Sequence, residues 1–286
     1  MALNQENLRT ISTGFKALFG KTFNETARLA EKIATVVPSN NLQETYPWLG
    51  EIPRMTEWVG DRTVKELKDY KYTLANKKFE ATVGVPTEYI EYDNAGIFAP
   101  AIKQMAQEAK QYPDELLSDL VTNGGTNLCY DGKAFFAEDH TVGSDTYANI
   151  ADLTLTPGNL LATEAFMRSI KTDSGGYMKV MPNMLMVGPG QLGNAINCID
   201  LADDGKNPTY KRYSYIINPA LEGKKWTLLD TSKAICPFIL QLAKDGVFAE
   251  DSGEKFMKGR VLYGAESFMN AGYSLWQLAF FSEGGV

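Results

Sequence analysis

A glycine-rich segment is the clearest candidate for cofactor chemistry in this chain. Gly188–Gly193 reads Gly-Pro-Gly-Gln-Leu-Gly and matches the pattern G-x-G-x-x-G. It follows a predicted buried strand, Met184–Val187, and opens a predicted helix, Gln191–Ile199. In dinucleotide-binding folds, glycines in this context bring the backbone close to a pyrophosphate at the helix N-terminus. A dinucleotide-dependent enzyme is therefore one hypothesis that the sequence raises.

Three neighbouring features argue against a dinucleotide at this segment. The predicted helix is short, because Asp200–Gly205 interrupts it. The next predicted strand, Tyr213–Ile217, ends in Asn218-Pro219 instead of the carboxylate that would hold a ribose hydroxyl. Pro189 also removes an amide that could receive a phosphate. We therefore predict a strand-turn-helix corner with Pro189 at its first helical position and no bound cofactor.

A loop between residues 126 and 147 collects residue types that can bind metals. Its possible ligands are Cys129, Asp131, Glu138, Asp139 and His140, and His140 is the only histidine of the chain. Their spacing matches no zinc or calcium pattern, and the polar loop accounts for them as solvated residues. We predict no metal site. A separate hypothesis is that His140 pairs with Glu138 or Asp139 of a neighbouring subunit and makes that contact sensitive to pH.

The parts of a nucleophilic active site are missing from the sequence. It contains no G-x-S-x-G elbow and no Walker A motif, and no histidine is adjacent in sequence to Cys129, Cys198 or Cys236. A Cys129–His140 pair stays conceivable, without support from the spacing. We predict that the protein is not an enzyme and has no catalytic residues.

Bulk composition limits the remaining classes. The 286 residues carry a formal net charge of −7, with a sequence pI near 5.0, so specific binding of nucleic acid is disfavoured. The three cysteines are far apart, which is typical of reduced, individually packed thiols. No apolar run is long enough to span a membrane, and the polar N-terminus resembles no signal peptide, so we expect a cytoplasmic site of synthesis and no membrane partner.

The elements that position these residues alternate irregularly along the chain. Apolar spacing and capping residues predict helices at residues 4–19, 24–37, 95–111 and 157–170, with a new helical start at Pro113 that ends at Gly124-Gly125. Short strands are predicted at residues 184–187, 213–217, 226–229, 238–242, 260–263 and 273–281. The predicted class is α+β.

The segment from Gly50 to Glu80 is unusually rich in charge. It carries 13 charged residues in 31 positions, seven positive and six negative. Period-two alternation predicts a β-hairpin in which Lys68–Leu74 pairs with Phe79–Val85 around a turn at Asn76-Lys77-Lys78. Such a ribbon buries little by itself. It is either a solvated hairpin or an arm that lies across a neighbouring subunit.

Several segments match, in the same order along the chain, those of one known family. The segments are Leu8–Phe19, Ile33–Ser39, Tyr46–Gly50, Glu57–Arg62, Tyr70–Thr73, Asn76–Val83, Cys129–Phe136 with Asp139-His140, and Gly272–Ala279. In these segments the chain resembles the Mu-like phage or prophage major head subunits. The resemblance implies the HK97-type capsid fold, with an N-terminal arm, an extended hairpin called the E-loop, a peripheral domain with a long spine helix and an axial α/β domain.

The same resemblance implies boundaries, contacts and partners. Expected units are the arm at 1–47, the E-loop at 48–84, the peripheral domain at 85–150, the axial domain at 151–245 and C-terminal strands at 246–286 that return to the peripheral domain. Expected inter-subunit residues of the E-loop are Glu57, Trp58, Asp61, Arg62, Lys65, Lys68 and Lys71, and expected peripheral-loop residues are Tyr130, Asp131, Phe135 and His140.

As a major capsid protein, the chain is expected to form pentamers and hexamers of an icosahedral head around phage DNA, which it touches non-specifically. Scaffold, protease, portal and decoration proteins are expected partners, with the virion as final location and the host cytoplasm as the place of assembly. A cellular nanocompartment shell of the same fold is the main alternative.

Overall fold

The computed structural model describes residues 5–47, 49, 72–92, 94–172, 175–202, 205–254 and 258–285. Its α-helices are α1 Gln5–Glu25, α2 Ala30–Ile33, α3 Thr87–Glu91, α4 Ala99–Thr122, α5 Pro157–Ser169 and α6 Leu192–Ile199. Its strands are β1 Ala34–Pro38, β2 Gln43–Thr45, β3 Thr73–Ala75, β4 Lys77–Pro86, β5 His140–Val142, β6 Asp145–Tyr147, β7 Ile150–Ala151, β8 Met184–Val187, β9 Ser214–Ile217, β10 Trp226–Leu229, β11 Phe238–Asp251, β12 Arg260–Tyr273 and β13 Ala279–Ser282. The predicted α+β class is confirmed.

The first sheet has the order β1-β11-β12-β4 and carries the two longest helices on one face. Helices α1 and α4 pack against it through Phe15, Phe19, Ile102 and Met105, which share a buried cluster with β4 and β12. On β4 the inward positions alternate with exposed ones, as the period-two pattern predicted. The apolar stripe of each helix thus finds its partner on this sheet.

The second sheet has the order β7-β13-β10-β8-β9, and all residues of β8, β10 and β13 are buried. The predicted strands at 184–187 and 226–229 are confirmed to the residue. Helix α5 begins as predicted, because the Thr156 side chain accepts a hydrogen bond from the amide of Asn159 and Pro157 follows it. Of the C-terminal strands, β12 lies in the first sheet and β13 in the second.

Two helix predictions are wrong. The helix predicted over residues 24–37 is replaced by the end of α1, by α2 and by strand β1, which pairs in parallel with β11. The β-branched run Thr35-Val36-Val37 favours a strand once a sheet edge is available. The helical restart at Pro113 is also wrong, since α4 continues through this buried proline. Its apolar stripe contacts the sheet on both sides of Pro113, and this packing outweighs the missing hydrogen bond.

The strand pairing predicted for the charged segment is wrong over the residues that the structure describes. Strand β3 pairs with β2, in the register Gln43 with Ala75 and Thr45 with Thr73, and β4 pairs along its whole length with β12. The β2–β3 ladder therefore brings Thr45 and Thr73, which are 28 positions apart in the sequence, side by side. Within the described ranges, no helix is long and apolar enough to cross a membrane.

Candidate functional site

The loop after α4 is folded into the core. Phe136 donates its amide to the carbonyl oxygen of Gly124 at 2.9 Å, and a side chain at position 124 would collide with the Phe136 ring. Glycine at this position therefore lets the loop return across the helix end. Phe135 is fully buried and stacks on Tyr273, with ring centroids 4.5 Å apart. This predicted site residue is a core aromatic of the subunit.

Three of the five possible metal ligands of this loop come together. Asp131 lies at the centre, with its Oδ2 at 2.6 Å from His140 Nδ1 and its Oδ1 at 3.0 Å from Cys129 Sγ. The two outer residues are buried, His140 completely. Glu138 and Asp139 are exposed and lie outside this group, and Asp139 forms an ion pair with Lys133 at 2.9 Å. The expectation that all five are solvated is wrong for Cys129 and His140, whereas Asp131 keeps partial exposure.

The surroundings of this group shift the pKa values of its acid and its thiol in opposite directions. Burial acts to raise the pKa of Asp131, but hydrogen bonds from His140, Cys129 and the Lys133 amide outweigh it and lower that pKa overall. Burial, together with the adjacent Asp131 charge, raises the pKa of the Cys129 thiol far above its usual value. Without a positive charge beside it, Cys129 is therefore a neutral thiol, and a neutral thiol is a poor nucleophile.

His140 is engaged within its own subunit. Its Nδ1 faces Asp131, its Nε2 lies 3.3 Å from the carbonyl oxygen of Phe135, and Trp276 covers one face of the ring. The predicted pairing with Glu138 or Asp139 of a neighbour is wrong, since both ring nitrogens already have oxygen partners and the ring is buried. The sequence reasoning missed Trp276, although this residue belongs to the Gly272–Ala279 segment that carried the family resemblance.

Tyr130, the fourth predicted residue of this loop, links the loop to the C-terminal segment. Its hydroxyl lies 3.2 Å from Gln277 Oε1, and its ring packs against both main hydrophobic clusters. The structure thus buries Phe135 and His140 fully and Tyr130 and Asp131 in part. All four make contacts within their own subunit that position the loop.

The glycine-rich corner is packed against a neighbouring loop. A Cβ on Gly188 would lie 1.9 Å from the carbonyl oxygen of Leu221, and the Gln191 side chain donates to the carbonyl oxygen of Lys224 at 2.6 Å. Gly193 has open space around it, whereas the third glycine of a dinucleotide fingerprint serves close helix–strand packing. The geometry supports the predicted strand-turn-helix corner.

The seven predicted contact residues of the E-loop, Glu57, Trp58, Asp61, Arg62, Lys65, Lys68 and Lys71, lie outside the described residues. A groove of about 360 Å³ runs between β4, α4 and β12 on the first sheet. Its lining includes the rings of Phe79 and Tyr112, 4.5 Å apart, and two exposed carboxylates of α4, Glu108 and Glu115. Sequence reasoning did not find this acidic groove, because its members come from separate elements.

Comparison with known proteins shows the family of the chain. The family model of the Mu-like prophage major head subunit gpT matches residues 8–157 and 203–285. The chain belongs to this family. The head subunit is 29% identical to the major capsid protein of Escherichia phage Mu, over 98% of this chain and 74% of that protein. It is 31% identical to the Mu-like prophage FluMu major head subunit of Haemophilus influenzae, over 91% of this chain and 69% of the relative.

Solved capsids share the fold of this head subunit. A chain of the bacteriophage JBD30 procapsid superposes with a TM-score of 0.67 and 27% identity, covering 98% of this chain and 75% of that one. A virus-like particle from Pyrococcus furiosus superposes with a TM-score of 0.57 at 11% identity, covering 95% and 98% of the two chains. The HK97-like fold inferred from the ordered motifs is confirmed, and the head subunit is a structural protein of the phage capsid.

Proposed function

We propose that this head subunit assembles into the pentamers and hexamers of an icosahedral shell that encloses phage DNA. The observation that carries the proposal is the family match, supported by the likeness to the JBD30 procapsid chain over nearly the whole sequence. The net charge of −7 suits a container wall that does not adhere to the DNA inside it. Assembly would take place in the host cytoplasm before the shell becomes part of the virion.

The two sheets give the proposed domains a physical basis. The first sheet, with α1 and α4, would be the peripheral domain, and α4 would be its spine helix. The second sheet, with α5 and α6, would be the axial domain at the capsomer centre. The proposed sequence limits remain 1–47, 48–84, 85–150, 151–245 and 246–286. Helix α1 packs with the first sheet and α6 with the second, whereas β11 crosses the limit at 245 and β13 of the last unit lies in the second sheet.

The charged segment 48–84 would be the main contact to the neighbouring subunit. The β2–β3 ladder holds Thr45 and Thr73 side by side at the two ends of this charged stretch of the chain. The acidic groove offers a complementary surface for Lys65, Lys68 and Lys71 of an adjacent copy, because complementary charge sets register and partner choice. The remaining E-loop residues, Glu57, Trp58, Asp61 and Arg62, would contact the same neighbour.

Other partners follow from shell building. A separate scaffold with its protease and a portal would be needed to start and close a shell of defined size. Decoration proteins are a further expected partner, and one JBD30 capsid structure with this fold carries minor capsid protein trimers. Packaged DNA would touch the inner surface without sequence preference.

Assembly of the purified chain, alone and together with its scaffold, tests the proposal. We expect pentamers, hexamers or shells of megadalton mass by light scattering and electron microscopy. A chain that stays monomeric with scaffold, at high concentration and across salt conditions, would overturn it. Reversing Asp61 and Arg62 together should impair assembly and leave subunit stability unchanged. Reversal of the exposed Lys244–Glu266 pair is the matched control.

A nanocompartment shell is the second candidate, favoured by the likeness to the Pyrococcus furiosus particle, which concerns the fold alone. The content of assembled particles separates the two. Phage particles purified from lysed host cells should hold DNA, whereas a nanocompartment would hold a cargo enzyme.

A further inference from the structure

The Cys129–Asp131–His140 group brings together three different donor atoms. Cys129 Sγ, one carboxylate oxygen of Asp131 and one ring nitrogen of His140 all lie within 4.8 Å of one another. Thiolate, carboxylate and imidazole are the three protein groups that bind Zn²⁺, and the softness of the thiolate disfavours Mg²⁺ and Ca²⁺. The two buried side chains flank Asp131, which retains 14% side-chain exposure and opens the group to solvent.

His140 Nδ1 faces the carboxylate of this group. Nε2 lies 3.3 Å from the Phe135 carbonyl oxygen, and Nδ1 lies 2.6 Å from Asp131 Oδ2. The shorter contact is the hydrogen bond that His140 donates to Asp131, and a metal ion at Nδ1 takes the place of that proton. Two electron-rich atoms at this separation require a proton or a cation between them. A backbone carbonyl as partner of the second nitrogen is the usual outer contact of a metal-binding histidine.

The backbone holds the other two donors in place. Cys129 donates its amide to the Lys133 carbonyl oxygen at 2.7 Å, and Gly132 donates to the Cys129 carbonyl oxygen at 3.1 Å. Gly132 has a φ of +80°, which glycine adopts readily. The resulting tight turn places the side chains of residues 129 and 131 side by side, and the Lys133 amide fixes Asp131 Oδ1 at 3.1 Å.

We propose that Cys129, Asp131 and His140 bind one divalent ion of the zinc class, with water as the fourth ligand on the side of Asp131. Donors at about 2.0–2.3 Å from a tetrahedral ion lie roughly 3.2–3.8 Å apart. The present separations of 3.0 and 2.6 Å therefore have to widen by about 1 Å or less, which a rotation of the Asp131 carboxylate can provide. The bound ion would displace the thiol proton and replace the proton between Asp131 and His140.

Such an ion would fasten the loop to the subunit core. Residues 129 and 140 enclose the segment that carries Phe135 and Phe136, and His140 rests on Trp276 of the C-terminal segment. A metal ion bound to both residues would close the chain between them into a loop, directly after the end of α4. The site belongs to the single subunit and does not depend on shell assembly.

Cobalt substitution tests the proposal. The full-length chain is stripped with a chelator, dialysed and titrated with Co²⁺, whose thiolate complex absorbs in the near ultraviolet. We expect one equivalent to bind, with a thiolate-to-cobalt charge-transfer band that Zn²⁺ abolishes. Cys129→Ser should remove the band and His140→Gln should weaken binding by about 100-fold or more. Cys198→Ser and Cys236→Ser are the matched controls and should keep it.

A measurement on the unmutated chain guards against variants that fail to fold. Alkylation of each cysteine is followed by mass spectrometry with and without Zn²⁺. Protection confined to Cys129 supports the site. Absence of a charge-transfer band in the folded wild-type chain, or a band that persists in Cys129→Ser, would overturn it.

Discussion

The indole of Trp276 lies flat on the imidazole of His140, with ring centroids 4.1 Å apart and ring planes 8° apart. Both residues are buried, and together they join the loop after α4 to the C-terminal segment. A double-mutant cycle with His140→Leu and Trp276→Leu should give a coupling free energy of about 1 kcal/mol, because the stack is lost with either residue. Urea unfolding with excess chelator measures it without a metal contribution.

The matched cycle pairs His140 with Trp226, whose ring lies beside Phe280 and whose Nε1 donates to the Leu153 carbonyl oxygen. That coupling should be close to zero. Equal coupling in both cycles would mean that the effect is general destabilisation of the core.

The sequence predicts an element of this structure well when the pattern that determines it is local, and poorly when a contact with a distant part of the chain determines it. Met184–Val187 and Trp226–Leu229 are correct to the residue, because continuous apolar runs between turn signals identify buried strands locally. Local spacing predicts a helix at Thr35-Val36-Val37, because the partner strand Ile239–Gln241 is about 200 residues away. The convergence of Cys129, Asp131 and His140 is hidden from local spacing for a similar reason. The position of His140 depends on Trp276, which local spacing does not reveal.

Arg28 anchors the N-terminal segment to the first sheet. Its side chain is 1% exposed, its Nε donates to the Lys110 carbonyl oxygen at 2.7 Å and its guanidinium lies 2.5 Å from Asp245. Arg28→Met should lower the free energy of unfolding by about 2–4 kcal/mol, since it leaves a carbonyl and a carboxylate without their partner. Lys244→Met, which removes an exposed pair with Glu266, should have little effect. Similar losses in the two variants would contradict the anchoring role.

Glu164 makes subunit stability depend on pH. Hydrogen bonds from Arg212 are the largest cause that lowers the pKa of this buried carboxyl to about 2, from an ordinary value of 4.5. A lowered pKa contributes stability that is fully present above about pH 4.5 and declines as the pH falls toward 2. The difference in unfolding free energy between wild type and Glu164→Gln should therefore shrink over this range, from at most roughly 3 kcal/mol. Glu88→Gln on α3 serves as the control for removal of an exposed carboxylate.

The glycine corner distinguishes a structural turn from a cofactor site. Gly188→Ala should destabilise the subunit by about 2 kcal/mol or more, because the new methyl group meets the Leu221 carbonyl oxygen. Gly193→Ala should be neutral or stabilise α6 by up to about 0.5 kcal/mol, since nothing lies within 4 Å of the added atom. Thermal unfolding measures the stability of both variants, and the same measurement on the wild type with millimolar NAD tests for cofactor binding. A shift of the wild-type melting temperature by NAD would contradict the structural assignment.

Charge exchange tests whether the acidic groove receives the E-loop of another copy. Glu108→Lys with Glu115→Lys should reduce assembly and leave subunit unfolding nearly unchanged, because both carboxylates are exposed on α4. Adding Lys68→Glu and Lys71→Glu to the same chain should restore assembly, since complementary charge returns with opposite sign. Exchanging Lys16 and Lys21 of α1 for glutamate is the control and should not rescue it.

Light scattering at several salt concentrations follows assembly, and the defect should weaken as salt screens the repulsion. Normal assembly of the groove variant at low salt would show that this surface does not receive the E-loop. Rescue by the α1 control would show that assembly depends on the net charge of the subunit and not on pairing between the groove and the E-loop.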